Sequence, residues 1–356
     1  MNIAVIGCGS IANSAHIPSY QNNPDARILY FCDILPERAA AAVEKYGCGT
    51  AITDYRIALN DPEIDAVSVC TPNHLHAAIS IAAMRAGKNV LCEKPAARTY
   101  REALEMQRVQ HETGKVLNIG VVNRFNDGIN RIKNYIKNGR LGEVYHVYAS
   151  FRAHRSIPGL GGDFTTKAVA GGGALIDWGV HYLDIVLYCC GDPTPCTVSG
   201  ETFCRLGKDI AHYVYKKMWA GPPKKDGIYD VDDSVTALIR TSGPVITLHG
   251  AWAQNIGEDE CYIDFIGDRA GIRLQYGKDF TVYSAEYGSL IEYKPVFSAK
   301  NAFQNEIDAF IAGIQTGRKQ PSHIDYAIET SKIMQAIYDS SEIHCEIDLG
   351  KEAPKC

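Results

Sequence analysis

The stretch Ile3-Ala4-Val5-Ile6-Gly7-Cys8-Gly9-Ser10-Ile11-Ala12 decides the fold. Its first four residues form a short apolar run, as expected of a strand buried in a parallel sheet. The next six fit G-x-G-x-x-A, and a helical pattern follows. Gly7 permits the tight turn, Gly9 lets the backbone approach a pyrophosphate, and Ala12 lets helix and strand pack closely. Amides at the helix start, among them those of Ser10 and Ile11, then meet the phosphate charge. The next requirement is an acid after the second strand. Asp33 stands there, about two dozen residues beyond the glycines, where a carboxylate binds the adenosine ribose hydroxyls. The same charge repels a 2′-phosphate, so the expected cofactor is NAD rather than NADP. Arg38 nearby tempers that discrimination.

Working outward, short apolar runs recur at 28–32, 66–70, 89–92 and 116–121, each bounded by turn signals. Helical patterns lie between them at 36–46, 75–86 and 99–113, ending at Gly47, Gly87 and Gly114. This alternation predicts a doubly wound Rossmann domain over residues 1–122. After residue 123 the rhythm changes. A helix at 127–138 leads into period-two runs at 143–152, 195–205, 233–241, 245–254 and 261–266, which predict a mostly antiparallel sheet. A helix rich in small residues is expected at 171–189, and two more at 301–316 and 325–340. Residues 123–356 therefore form an α+β domain, expected to bind substrate and to oligomerise.

Composition narrows the function. A chain of 356 residues with 46% hydrophobic and 22% charged residues is a globular protein with room for two domains. A formal net charge of −5 and the lack of a basic block argue against nucleic acid as a partner. Apolar stretches stop short of a membrane span, and Met1 leads directly into a strand, so a cytoplasmic location without membrane association is expected. The 12 cysteines show neither a CxxC pair nor a zinc-ligand spacing. Cys32, Cys70 and Cys92 lie in or beside apolar runs and read as reduced core thiols, with no metal expected. Cys189, Cys190 and Cys356 receive no role.

Three further blocks carry a resemblance: Thr71-Pro72-Asn73-His74-Leu75-His76, Glu93-Lys94-Pro95, and the run from Gly171 through Asp177, His181 and Asp184. Behind a G-x-G-x-x-A turn and in this order, they make the chain resemble the glucose–fructose oxidoreductase / inositol dehydrogenase / MocA-like (Gfo/Idh/MocA) family over most of its length. The resemblance implies a Rossmann domain followed by an open-faced antiparallel sheet with helices on one face, and an active site between them. It implies that Thr71, Asn73, His76 and Glu93 line the cofactor, with Lys94 at the reacting carbon. It implies that Asp177 and His181 complete the catalytic group. Arg124 is the candidate for the basic position near the nicotinamide. Arg152, His154 and the glycine-rich loop through Asp163 and Lys167 are candidates for the substrate wall.

Chemistry supports the same residues. Oxidation of an alcohol requires removal of its hydroxyl proton as the carbon gives up hydride. Asp177 and His181, four apart on a helix, project from one face, so the acid can orient a histidine of near-neutral pKa. Lys94 follows a parallel strand, at the edge where open α/β sheets hold ligands, and its ammonium would stabilise an alkoxide. Either His181 or Lys94 can be the base. Asp184, a turn further on, is a supporting or substrate contact.

The expected reaction is NAD-dependent oxidation of a secondary ring hydroxyl on a sugar, glycoside or cyclic polyol. A rigid ring offers several hydroxyls to Lys94, Asp177, His181 and Asp184 together, whereas a 2-hydroxy acid would call for an arginine clamp. Glucosides oxidised at carbon 3 come first and free inositol second. Two other classes use the same features: a glycosidase working through transient oxidation by retained NAD, and a non-catalytic NAD sensor. The sensor would need only the glycine turn and Asp33. A homo-oligomer, dimer or tetramer, is expected because one sheet face lacks helices and the strand at 233–241 is apolar on both sides: Val235, Ala237 and Ile239 alternate with Ser234, Thr236 and Leu238.

Overall fold

The computed structural model describes residues 1–350, so Cys356 lies outside the described residues. The chain forms two compact units. The first comprises Met1–Asn126 and Lys300–Ile328, and the second comprises Asp127–Ala299 and the chain from Glu329 onward. The first crossing falls close to the expected 122/123 boundary. Residues 300–328, expected in the second domain, belong to the first unit.

The first unit is built on a six-stranded parallel sheet. Its strands are β1 (Asn2–Ile6), β2 (Arg27–Cys32), β3 (Thr50–Ile52), β4 (Ala66–Val69), β5 (Asn89–Glu93) and β6 (Leu117–Gly120). The order β3-β2-β1-β4-β5-β6 is that of a doubly wound dinucleotide fold. β4 and β6 are buried throughout, as strands covered on both faces are, with Ser68 and Asn118 as their polar members. Local signals fix the helices. Pro36 opens Pro36–Tyr46 and Gly47, at φ 64°, ends it. Thr99 caps Tyr100–Thr113 by accepting from the Glu102 amide.

Residues 300–328 return to this unit for a packing reason. One face of the sheet (Ala4, Ile6, Val67, Val90) packs with Ile79, Ala83 and Met106 from helices Asn73–Arg85 and Tyr100–Thr113. The other face (Ile3, Val5, Ala66, Leu91) packs with Ile17 and Tyr20 and with Ile307, Phe310 and Ile311 of helix Ala302–Thr316. A doubly wound sheet must be covered on both faces, and Phe310, fully buried, supplies part of the second cover.

The second unit holds a nine-stranded sheet in the order β14-β13-β12-β11-β7-β10-β9-β8-β15. Its strands are β7 (Val144–Arg152), β8 (Pro195–Phe203), β9 (Ser234–Thr241), β10 (Val245–Ala251), β11 (Glu260–Gly267), β12 (Ala270–Gln275), β13 (Phe280–Glu286), β14 (Ser289–Tyr293) and β15 (Ile347–Asp348). Only the β7–β10 pair is parallel, so the sheet is mostly antiparallel as expected. Strands β12 to β15 extend it beyond the five expected runs. Val147, Ala149 and Phe151 of β7 point into a core shared with helix Val180–Cys189. The alternate residues His146, Tyr148 and Arg152 occupy the opposite face. Val235, Ala237 and Ile239 of β9 are buried in the same core, while Thr236 and Leu238 are half-buried. Among the described residues, no helix is long and apolar enough to cross a membrane.

Candidate active site

In the first unit, the glycine turn has the shape that its sequence requires. Gly7 has φ 94°, and a Cβ there would lie 2.4 Å from the Cys70 carbonyl oxygen, so only glycine fits. At Gly9 the space a Cβ would take is open. The first helical bond runs from the Asn13 amide to the Gly9 carbonyl, 3.1 Å, so the helix itself makes no use of the amides just before it. Asp33 is buried, and its carboxylate accepts from the Cys8 amide (2.9 Å) and the Leu35 amide (3.0 Å). Both oxygens keep a second lone pair for ribose hydroxyls. An open glycine, a first turn of amides and a fixed carboxylate fit the pyrophosphate and ribose of NAD. Burial pushes the Cys8 and Cys32 thiols up to about 12, so these cysteines beside the turn are inert.

The helical run 10–22 contains an unexpected feature, a π-helical turn at Ala12–His16 in which the Ile17 amide reaches back to the Ala12 carbonyl. Such wide turns re-aim side chains and are frequent at functional sites. Here the turn ends at His16, which is buried between two strands. His16 Nδ1 lies 2.8 Å from Ser68 Oγ on β4, and Nε2 lies 2.7 Å from Glu93 Oε1 on β5. Glu93 Oε2 accepts from the Lys94 amide at 3.0 Å. Against the pull of burial, Cys70 and then Glu93 hold His16 well above the usual histidine range, and His16 and Lys94 hold Glu93 low against its own burial. Glu93 was expected to line the cofactor; in the structure both of its oxygens are engaged inside the protein.

The 71–76 block packs against the Lys94-Pro95 turn, whose peptide bond is cis. His76 is buried, with Nδ1 2.8 Å from the Pro95 carbonyl and Nε2 2.8 Å from the Thr71 carbonyl. It ties the two cofactor-side loops together, and burial pulls its pKa down. Thr71 Oγ1 is buried without a hydrogen-bond partner, as a ligand contact should be. Asn73 opens helix Asn73–Arg85. Arg124 is buried and donates to the Pro321 carbonyl at 3.1 Å, an anchor for the returning segment.

In the second unit, Asp177 lies in a second π-helical turn, Leu175–Gly179, where the Val180 amide reaches back to the Leu175 carbonyl, and His181 lies in the first turn of helix Val180–Cys189. Asp177 is buried and accepts from the Trp252 indole N–H at 3.3 Å. His181 is partly exposed, its ring 6.3 Å from that of Tyr276, which stacks on Tyr182 at 4.8 Å. Asp184, a turn further on, is 1% exposed.

Sequence reasoning missed the acid that builds this helix start. Asp232 accepts from the Gly173 amide (2.7 Å), the Leu175 amide (2.9 Å) and the Tyr338 hydroxyl (2.7 Å). Burial pushes its carboxyl up, against the pull of these donors. A Cβ at Gly173 would lie 1.9 Å from the Asp232 carbonyl oxygen, which explains the small residues of this block. The acidic run Asp230-Val231-Asp232-Asp233 is the signal that could have pointed to it. Of the expected wall residues, Arg152 pairs with Glu260 at 2.6 Å on the sheet face away from Phe151. His154 presents a buried Nδ1 without a hydrogen-bond partner.

Known proteins share this arrangement. Residues 1–121 match the NAD-binding Rossmann fold of the Gfo/Idh/MocA oxidoreductase family, and residues 129–273 match its C-terminal domain. The chain is similar to D-glucoside 3-dehydrogenase of Escherichia coli (strain K12), 30% identical over 351 residues, which cover 98% of this chain and 97% of the relative. It is similar to inositol 2-dehydrogenase of Rhizobium meliloti (strain 1021), 27% identical over 323 residues, 89% of each chain. The structure of levoglucosan dehydrogenase in complex with NADH and levoglucosan shares the fold, with a TM-score of 0.83 at 23% identity over 99% of this chain and 100% of that one. The glycine turn, the Glu93-Lys94-Pro95 block and the Asp177–His181 helix thus belong to an NAD-dependent oxidoreductase of the Gfo/Idh/MocA family.

Proposed function

We propose that this enzyme oxidises a secondary ring hydroxyl of a sugar, glycoside or cyclic polyol, with glucosides oxidised at carbon 3 as the first substrate class and inositol as the second. The observation that carries the reading is the similarity along almost the whole chain to a D-glucoside 3-dehydrogenase, together with Lys94, Asp177 and His181 in the blocks that bear the chemistry. NAD, when bound, supplies the hydride acceptor. Lys94 holds the substrate oxygen and stabilises its negative charge. His181 or Lys94 takes the hydroxyl proton as the carbon loses hydride, so a ketone and one proton result. Asp177, fixed by Trp252, orients the histidine. His154 Nδ1 is a polar atom that a neighbouring hydroxyl can satisfy.

The same reading includes a homo-oligomer joined through the sheet face that bears His146, Tyr148 and Leu238. It also includes a cytoplasmic location, supported by the 11 cysteines among the described residues, all of them free. The test is incubation with a glucoside, inositol and lactate, with an added electron acceptor, and identification of products by NMR. A 3-keto-glucoside is expected. Turnover of lactate alone overturns the substrate class. Lys94→Ala and His181→Ala should each lower kcat by about a hundredfold while NAD affinity stays within a few-fold.

A further inference from the structure

The buried chain Ser68–His16–Glu93–Lys94 carries more than the packing of one helix on a sheet. Its members come from three elements: His16 from the π-helical turn Ala12–His16, Ser68 from β4, and Glu93 from β5. His16, Ser68 and Glu93 are 1%, 0% and 6% exposed. Water therefore does not solvate the Glu93 carboxylate, and its charge must be met by protein groups. Two of them do so at hydrogen-bond distance: His16 Nε2 at 2.7 Å and the Lys94 amide at 3.0 Å. The Lys94 ammonium is close enough to help hold the Glu93 carboxyl low. The other ring nitrogen of His16, 2.8 Å from Ser68 Oγ, can donate to it, because that hydroxyl can turn its own hydrogen toward Cys70 Sγ at 3.9 Å. Every bond in the chain is thus satisfied with His16 as an imidazolium and Glu93 ionised.

We propose that His16 is a positioning residue which, by balancing the buried charge of Glu93, sets the proton affinity of the Lys94 amine. The inference rests on the reading of Lys94 as the residue at the reacting carbon, but its test does not. With His16 charged, Lys94 meets a neutral ion pair. With His16 neutral, it meets a lone carboxylate in a medium of low dielectric and holds its proton more tightly. Other titratable groups face this chain as well. Cys70, after β4, faces His16 and raises its pKa together with Glu93, and Tyr20, on the same helical run, is pushed up by burial. His76 faces Glu93 and Lys94 from helix Asn73–Arg85 with its pKa pulled down, and Glu306 of helix Ala302–Thr316 faces Tyr20.

The Lys94 pKa can be read on the intact protein without any substrate, from the pH dependence of its acetylation by trace acetic anhydride, quantified by peptide mass spectrometry. His16→Gln keeps an N–H for Glu93 and removes the charge, and the Lys94 pKa should rise by about one unit. Glu93→Gln removes the opposite charge, and the pKa should fall by a similar amount. Both substitutions break the same pair, so a purely structural pair would move Lys94 in one direction in both, and that result overturns the proposal. So does an unchanged pKa in both. If the variants do not fold, nitrogen NMR of the wild-type enzyme decides: an imidazolium at His16 at pH 8 is expected, and a neutral ring there overturns the proposal. Once a substrate is in hand, the pH limb of kcat governed by Lys94 should move in the same two directions. A wild-type enzyme inactive on every sugar and polyol would overturn the proposed function and leave this measurement standing.

Discussion

The indole N–H of Trp252 donates to Asp177 Oδ2 across 3.3 Å, inside a core where Trp252 is fully buried. An indole nitrogen can only donate, so it fixes one of the two carboxylate oxygens. The residue proposed to orient His181 is thus held by the segment just after β10. Trp252→Phe keeps most of the aromatic volume and removes the donor. It should lower kcat by about tenfold with little change in NAD affinity. Asp177→Asn should cost more than Trp252→Phe and less than His181→Ala. Steady-state kinetics with a direct NAD titration checks both.

Cofactor choice rests on Asp33. NAD should bind at least about tenfold more tightly than NADP, a difference of about 1.4 kcal/mol. The same carboxylate anchors the Cys8 and Leu35 amides, so its loss loosens the glycine turn as well as the ribose contact. Asp33→Ala should therefore narrow the preference mainly by weakening NAD. Equal affinity of the wild-type enzyme for both dinucleotides, measured by calorimetry, would remove the argument.

Acid stability has a local marker in Asp325, near the start of helix Ile324–Ile343. Burial raises its carboxyl, but donors from Lys319, Gln107 and His111 outweigh that and hold it at about 2. A carboxyl lowered on folding stabilises above its unfolded pKa, and the gain is lost as pH falls through the folded value. The Tm deficit of Asp325→Asn should be full at neutral pH and vanish between about pH 4 and pH 2. Thermal melts across that range check it, and a deficit that persists at pH 2 would assign the effect to packing.

Oligomerisation should depend on the sheet face that carries Tyr148, which is 43% exposed and stacks on His146 at 4.1 Å. A Tyr148→Asp substitution places a charge there and should shift a dimer or tetramer toward monomer in light scattering. A wild-type monomer at micromolar concentration would contradict the expectation.

The sequence is most informative where structure is local. Pro36 and Gly47 bracket a helix that forms between them, and Gly7 declares its turn because no other residue fits under the Cys70 carbonyl. The Glu93-Lys94-Pro95 and Asp177–His181 blocks stood out through the family resemblance, as short contiguous motifs. Features that depend on distant partners were not. Asp232 caps its helix from 59 residues away in the chain. Strand β13 begins with three buried residues and ends largely exposed, and β14 is exposed or half-buried, so neither shows the clean alternation of a half-buried strand. The two π-helical turns have no local signature, and one of them ends at His16.

The return of residues 300–328 to the first unit has a consequence for biosynthesis. When the ribosome has made the first 126 residues, all six strands of the Rossmann sheet exist, yet Ile307, Phe310 and Ile311 do not. One face of the sheet must wait, apolar and incompletely covered, while 173 residues of the second unit (127–299) are synthesised. During that interval the nascent chain is an aggregation-prone client for any factor that shields hydrophobic surface. The unit that binds the cofactor is the first to begin folding, and it cannot finish until most of the message has been read.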